Sequence, residues 1–221
     1  MKKKLTIAAL KKEALNFCKK YSGNYSNELF GITDGKAVGT FIEHRFKEFL
    51  ETNYILIKGN SANGLDLPSV NTDIKVTSIR QPQSSCPYKD SKQKIFGLGY
   101  NLLVFVYQKH DDAISQKGML EFVSCTFINK ERTADYQTTT GIKNIIENHG
   151  NQDDIFAFLI DHNIPGDETT LYGLAGEILA SPPKIGYLTI SNALQWRLQY
   201  GRIVMLEEKT KGISPIIKYH R

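Results

Sequence analysis

The hydrophobic positions of the chain follow two different periods, which separate predicted helices from predicted strands. Apolar residues that recur at helical spacing, with polar residues opposite, predict helices at residues 5–21, 36–53, 142–148, 154–162, 169–179 and 191–200. Short apolar or alternating segments predict strands at residues 54–58, 65–67, 72–78, 98–108 and 120–128. The unbroken apolar run at 102–107 is typical of a strand that is buried on both faces. Helices before and after a central set of strands predict an α/β or α+β fold.

The composition adds little to this picture but excludes several classes of protein. With 41% hydrophobic and 23% charged residues, the 221-residue chain is not a disordered protein. No apolar run approaches the roughly 20 residues that cross a bilayer, so no membrane association is predicted. The three cysteines are widely spaced and form neither a disulfide framework nor a CxxC metal site, which favours the cytoplasm. The five histidines lack metal-ligand spacing. A net charge of +5 permits a polyanionic partner without requiring one.

Candidate chemistry is concentrated in residues 64–78. Alternation along the strand places Asp73 and Lys75 on one face and Ile74 on the other. If residues 65–67 pair with this strand across the turn at 68–71, Asp66 lies beside Asp73. Two carboxylates that leave positions for water and phosphate suit Mg²⁺. A neighbouring lysine can assist an attacking water or stabilise charge on phosphoryl oxygens.

A structural interpretation of the same residues stays open. Asp-x-Lys on a strand is common by chance, and Asp66 is equally suited to a polar position in a turn. The second acid one hairpin away, and the apolar residues Ile74 and Val76 on the opposite face of the strand, favour the chemical interpretation.

A third acid lies on the preceding predicted helix. Glu43 follows Phe41 and Ile42 and precedes Phe46, so it borders the buried stripe. Two interpretations stay open: Glu43 completes a metal site from the helix side, or it forms a surface pair with Lys47 at i+4.

An acid, a hairpin and then Asp-x-Lys on the second strand resemble the PD-(D/E)xK nuclease superfamily. The segment Gly39-Thr40-Phe41-Ile42-Glu43, the polar segment 77–88 and the buried strand at 102–107 resemble type II restriction endonucleases of that superfamily. The resemblance covers residues 36–107. Leu65-Asp66 lacks the proline that often precedes the first acid, although Pro68 follows it.

The resemblance implies a fold, a site and a partner. The fold would be a restriction-endonuclease-like α/β domain over residues 1–221, with a mixed central β-sheet flanked by helices. Its catalytic core would span about 36–128, and residues 129–221 would contribute to DNA recognition or dimerisation. Asp66, Asp73 and Glu43 would hold Mg²⁺ and Lys75 would act with the attacking water. The working state would be a homodimer that cuts both strands of a short palindrome in double-stranded DNA.

Two polar segments are candidates for DNA contact, because glutamine and arginine read base edges and lysine suits phosphates. These residues are Arg80, Gln81, Gln83 and Lys89, just beyond the Asp-x-Lys strand, and Gln195 and Arg197 on the predicted C-terminal helix. An ordinary exposed surface is the alternative for each of them.

The sequence thus predicts a Mg²⁺-dependent, sequence-specific endonuclease of the type II restriction class. Two alternatives stay open: a repair or recombination nuclease of the same superfamily that acts on mismatched or branched DNA, and a DNA-binding protein that does not cut.

Overall fold

The computed structural model describes residues 2–57, 64–191 and 197–220, which form helices and strands in mixed order. The helices are α1 (Ile7–Tyr21), α2 (Gly35–Glu51), α3 (Ser91–Phe96), α4 (Tyr136–Glu147), α5 (Gln152–Asp161), α6 (Glu168–Ala180) and α7 (Gly201–Val204). The strands are β1 (Lys3–Lys4), β2 (Tyr25–Ser26), β3 (Tyr54–Ile55), β4 (Thr72–Ser78), β5 (Gln83–Ser85), β6 (Asn101–Asp112), β7 (Lys117–Ile128), β8 (Thr189–Ser191), β9 (Arg197–Gln199) and β10 (Ile213–Ile217). No helix among these is long and apolar enough to cross a membrane.

The chain divides into two compact units. The first comprises residues 1–84, 101–128 and 204–221, and the second comprises residues 85–100 and 129–203.

A mixed sheet forms the centre of the first unit. Its strand order is β10-β7-β6-β4, and β2 also pairs with β7. Strands β4 and β6 are parallel, whereas β6 and β7, and β7 and β10, are antiparallel. Strand β4 is therefore at the edge of this order, with one side of its backbone available to other groups.

Helices α1 and α2 cover one face of this sheet. Four phenylalanines form the centre of the core, with ring centroids 5.0 to 5.8 Å apart in the contacting pairs: Phe17, Phe46, Phe105 and Phe122. Such edge-on aromatic packing adds to the stability gained from burial. Helix α2 contributes Val38, Ile42, Phe46 and Leu50, spaced four residues apart, so its buried stripe is continuous.

The second unit has its own core. Helices α4, α5 and α6 bury a cluster of aliphatic side chains that includes Ile142, Leu159 and Ile178. Asp135 caps α4: its carboxylate accepts the Thr138 N–H at 2.9 Å, and it also accepts the Ile190 N–H of β8 at 3.1 Å. One buried carboxylate therefore joins a helix start to a strand.

The predicted α/β class, with a mixed central sheet and flanking helices, is confirmed. Strand β4 has the predicted bounds, and residues 101–107 are buried throughout, as expected of a central strand. The short strand predicted at 65–67 is reduced to a single antiparallel bridge between Leu67 and Thr72.

The helix predicted at 191–200 is wrong for its described residues. Arg197–Gln199 is a strand that pairs antiparallel with Thr189–Ser191. Leu198 is buried between two more exposed neighbours, which is the alternation of a strand rather than the stripe of a helix. Residues 192–196, including the candidate Gln195, lie outside the described residues.

Candidate active site

Helix α2 carries two charged residues to the edge of the sheet. Asp34 caps its start by accepting the N–H groups of Lys36 and Ala37 at 3.1 and 3.0 Å. A Cβ atom on Gly39 would lie 3.8 Å from the Cβ of Val76, so the helix packs closely on β4. Glu43 and Lys47 follow Gly39 at successive intervals of four residues and therefore share its side of the helix. Both side chains are half-buried.

A short turn returns the chain to β4 and places Asp66 beside the strand. Leu67 and Thr72 exchange backbone hydrogen bonds of 2.9 and 3.2 Å around a 3₁₀ turn at Pro68–Val70. The Asp66 carboxylate then accepts the backbone N–H of Ile74 at 2.9 Å. This contact uses the open side of edge strand β4, which an interior strand would not offer.

Five side chains meet at this point of the first unit. The Asp66 and Asp73 carboxyl groups are close enough to shift each other's pKa. The ammonium nitrogen of Lys47 is 2.7 Å from Glu43 Oε1 and 2.7 Å from Asp66 Oδ1, while the Lys75 ammonium is 2.7 Å from Asp73 Oδ2. The structure therefore brings together Glu43, Asp66, Asp73 and Lys75 of the sequence prediction and adds Lys47.

The two aspartates differ in the proton affinity of their carboxyl groups. Burial and the neighbouring Asp66 carboxylate raise the pKa of Asp73 to about 6, although the attraction of Lys75 opposes this shift. Burial also acts to raise the pKa of Asp66, but hydrogen bonds from Asp73, Lys47 and the Ile74 N–H outweigh it and lower that pKa to about 2. Two carboxyl groups this close oppose each other's ionisation, so a cation bound by both would stabilise the ionised pair.

The pKa values of Glu43 and Lys47 are also shifted. Burial raises the pKa of Glu43, although the hydrogen bond from Lys47 opposes this shift. Burial acts to lower the pKa of Lys47, but its bonds to Asp66 and Glu43 outweigh burial and leave the pKa raised. Lys47 therefore carries its positive charge between two carboxylates at neutral pH.

The donor set at Asp66 and Asp73 suits a hard divalent cation. Magnesium prefers oxygen ligands, retains several waters and is commonly held by one or two carboxylates together with substrate phosphate. The mutual repulsion of the two ionised aspartates favours positive charge beside them. In the described part of the chain, no group of three or more histidine, cysteine, aspartate or glutamate side chains is arranged to hold a metal ion. The match to Mg²⁺ thus depends on two carboxylates and not on a complete set of protein ligands.

The other predicted contact residues are distributed over both units. Arg80 and Gln81 are exposed in the turn after β4, and Gln83 begins β5, where its backbone N–H donates to Thr77 Oγ1 at 3.0 Å. Lys89 is exposed just before α3, and Arg197 is half-buried on β9; both belong to the second unit.

Sequence reasoning considered Lys47 only as a surface partner for Glu43. The predicted i+4 pair is present, but the same ammonium also reaches Asp66. The sequence signal that would have indicated this contact is the position of Lys47 on the helix. Lys47 follows Phe46 of the buried stripe as Glu43 follows Ile42, so the two share a border of the stripe and face the same neighbours.

Comparison with known proteins identifies the family. The family model for the type II restriction enzyme NspV matches residues 4–215. The chain is 51% identical over 214 residues to the type II restriction enzyme NspV of Nostoc sp., with 97% of each chain covered. The chain belongs to the NspV family of type II restriction enzymes. The predicted resemblance and the predicted enzyme class, a type II site-specific deoxyribonuclease, are therefore confirmed. No solved structure matches the chain.

Proposed function

We propose that this NspV-family enzyme hydrolyses phosphodiester bonds in double-stranded DNA at a Mg²⁺-dependent site built on Asp66, Asp73 and Lys75. The observation that carries this proposal is the geometry at the sheet edge: Asp66 accepts the backbone N–H of Ile74 at 2.9 Å, and the carboxylate of the adjacent residue Asp73 is 2.7 Å from the Lys75 ammonium. Family membership favours restriction over the alternatives of a repair nuclease and a non-cutting DNA-binding protein.

Each residue then has a distinct role. Asp66 and Asp73 would hold a magnesium ion, which when bound neutralises the charge that develops on the phosphate oxygens. Asp73 fixes Lys75 through their ion pair, so that the ammonium lies beside the metal ligands, one quarter exposed and accessible to an entering water. Lys75 orients that water through a hydrogen bond and stabilises the negative charge that grows on the phosphoryl oxygens as the water attacks phosphorus. Glu43 acts from the helix side, through its link to Lys47 and Asp66.

The exposed residues after β4 are the proposed DNA contacts of the first unit. Arg80 and Gln81 follow Lys75 by five and six residues in the chain, which keeps them near the scissile phosphate. Gln83, Lys89, Gln195 and Arg197 are proposed as further contacts. The overall charge of +5 favours binding to polyanionic DNA.

The enzyme is proposed to act as a homodimer in the cytoplasm. Cleavage of both strands of a palindrome needs two active sites related by a twofold axis, which a symmetric dimer supplies. The described cysteines are free thiols, in keeping with a reducing compartment.

A cleavage assay tests the proposal. The purified protein is incubated with mixed genomic DNA in Mg²⁺, in Ca²⁺ or in EDTA. We expect discrete fragments with Mg²⁺ only. A smear would indicate non-specific cutting, untouched DNA that is nevertheless bound would support the non-cutting alternative, and discrete fragments in EDTA would contradict metal dependence.

A further inference from the structure

Lys47 occupies the space between two carboxylates of the site. Its ammonium nitrogen is 2.7 Å from Glu43 Oε1 and 2.7 Å from Asp66 Oδ1. A magnesium ion shared by these two oxygens would need to lie about 2.0–2.1 Å from each. An ion therefore cannot bridge Glu43 and Asp66 while Lys47 keeps its place.

The charges of the cluster lead to the same conclusion. Three carboxylates (Glu43, Asp66 and Asp73) face two ammonium groups (Lys47 and Lys75), which leaves one net negative charge when all are ionised. One divalent cation reverses that charge, whereas a second would create a strongly positive cluster in a half-buried place. Without Lys47, the cluster would carry one more negative charge, and the space between Glu43 and Asp66 would be open to a second ion.

Asp66 is held in a fixed orientation by contacts on both of its oxygens. Oδ1 accepts from Lys47, and Oδ2 accepts the Ile74 N–H of β4 at 2.9 Å. With 17% of its side chain exposed, Asp66 has little freedom to turn. The lysine thus binds one oxygen of Asp66 on the side of Glu43, away from the backbone contact.

We propose that Lys47 is a positioning residue that takes the place of a second metal ion, fixing Glu43 against Asp66 and limiting the site to one divalent cation per chain. The proposal rests on the proposed function, because it assumes that Asp66 and Asp73 hold that cation. It assigns Glu43 an indirect role, as the anchor of Lys47 rather than as a metal ligand.

Counting bound Mn²⁺ tests this proposal without any cleavage reaction. Titration of the DNA-free protein, with free Mn²⁺ followed by electron paramagnetic resonance, is compared for the wild type, Lys47→Gln, Lys47→Arg and the matched exposed control Lys36→Gln on the same helix. We expect one tight Mn²⁺ per chain in the wild type, Lys47→Arg and Lys36→Gln, and two in Lys47→Gln. The double variant Glu43→Gln/Lys47→Gln should return to one, because the second ion loses a carboxylate. A single ion of unchanged affinity in Lys47→Gln would overturn the proposal.

A measurement on the wild type guards against misfolding of the variant. In the protein saturated with Ca²⁺, the ¹⁵N signal of the Lys47 ammonium should remain that of a hydrogen-bonded group. Loss of that signal on Ca²⁺ addition would mean that the ion displaces the lysine, and it would overturn the proposal.

The variant Asp73→Asn separates this proposal from the function on which it rests. If the wild type binds one Mn²⁺ and Asp73→Asn binds none, the metal site is supported. The result for Lys47→Gln then tests only the role of Lys47. If the wild type binds no Mn²⁺, both the metal-dependent function and the role of Lys47 are overturned.

Discussion

At the scale of single residues, the site depends on a few charges that are placed against one another in a half-buried cluster. Asp73 is only 8% exposed and forms an ion pair with Lys75, and Asp66 binds both a lysine and a backbone N–H. Each carboxylate is thus held by a specific donor, which is the condition under which burial of charge is tolerated.

The first prediction concerns Lys75. Lys75→Ala is expected to lower the single-turnover cleavage rate by at least about two orders of magnitude, the scale of losing a positioned acid–base or electrostatic group. DNA affinity should change little, since one charge is lost. The exposed lysine Lys117→Ala serves as the matched control and should cleave normally. Wild-type single-turnover kinetics in Lys75→Ala would make Lys75 a structural partner of Asp73.

The second prediction concerns the stability of the metal-free protein. Because the pKa of Asp73 is raised to about 6, the folded protein holds a proton that the unfolded chain, with a carboxyl pKa near 4, releases. The stabilisation that comes from protonated Asp73 is fully present below about pH 4 and is lost as the pH rises through about 6. Asp73→Asn keeps a neutral side chain at every pH.

Urea unfolding in EDTA measures whether stability changes with pH in this direction. The stability of Asp73→Asn relative to the wild type should increase from pH 4.5 to pH 7. A difference that stays constant across this range would show that Asp73 titrates normally.

Whether the sequence predicted each contact of the site depends on how far apart the two residues are in the chain. Asp73 and Lys75 follow from strand alternation, and Asp66 from a turn of a few residues, so local geometry was sufficient. The bridge from Lys47 to Asp66 joins residues 19 apart on different elements. Its formation depends on how α2 packs on β4, which no local pattern contains.

At the scale of elements, α2 and β4 position the whole cluster. Helix α2 supplies Glu43 and Lys47, and edge strand β4 supplies Asp73, Lys75 and the N–H that orients Asp66. The bounds of β4 and most of α2 were predictable because each has a clear period. The strand at 197–199 was not predictable from the sequence. Three residues with one buried leucine fit both a helical and a strand period, and only the pairing with residues 189–191 decides between them.

The third prediction concerns the start of α2. Asp34→Ala is expected to destabilise the protein by about 1 kcal/mol, because two N–H groups at the helix start lose their acceptor. Asp161→Ala, an exposed acid in the last turn of α5, is the matched control. It should be neutral or slightly stabilising, since a carboxylate is unfavourable at a helix end.

Urea unfolding at pH 7 compares these two variants with the wild type. Equal stability of Asp34→Ala and the wild type would contradict the capping role of Asp34.

At the scale of the whole molecule, the family match spans both compact units, since it runs from residue 4 to residue 215. The match to the relative from Nostoc sp. covers 97% of the chain. The second unit therefore lies within the region that the family model matches. The sequence predicted a nuclease core and a C-terminal part, but it did not predict that residues 85–100 belong with the C-terminal unit.

The fourth prediction concerns assembly. The DNA-free protein is expected to sediment as a species of twice the chain mass, because a symmetric dimer would place one active site on each strand of the proposed palindrome. Sedimentation velocity over a range of concentrations measures this. A monomer at every concentration, both alone and on a DNA duplex that it cleaves, would contradict the homodimer.

The central claim, that cleavage depends on a divalent cation held by Asp66 and Asp73, is tested most directly by the variant Asp73→Asn. Single-turnover cleavage of DNA in Mg²⁺ is compared for the wild type, Asp73→Asn and the control Asp112→Asn at the end of β6, with binding measured in Ca²⁺. We predict no detectable cleavage by Asp73→Asn, DNA binding within a few-fold of the wild type, and normal cleavage by Asp112→Asn, because a neutral amide cannot hold the cation beside the phosphate. Cleavage by Asp73→Asn at a rate near that of the wild type would contradict the account.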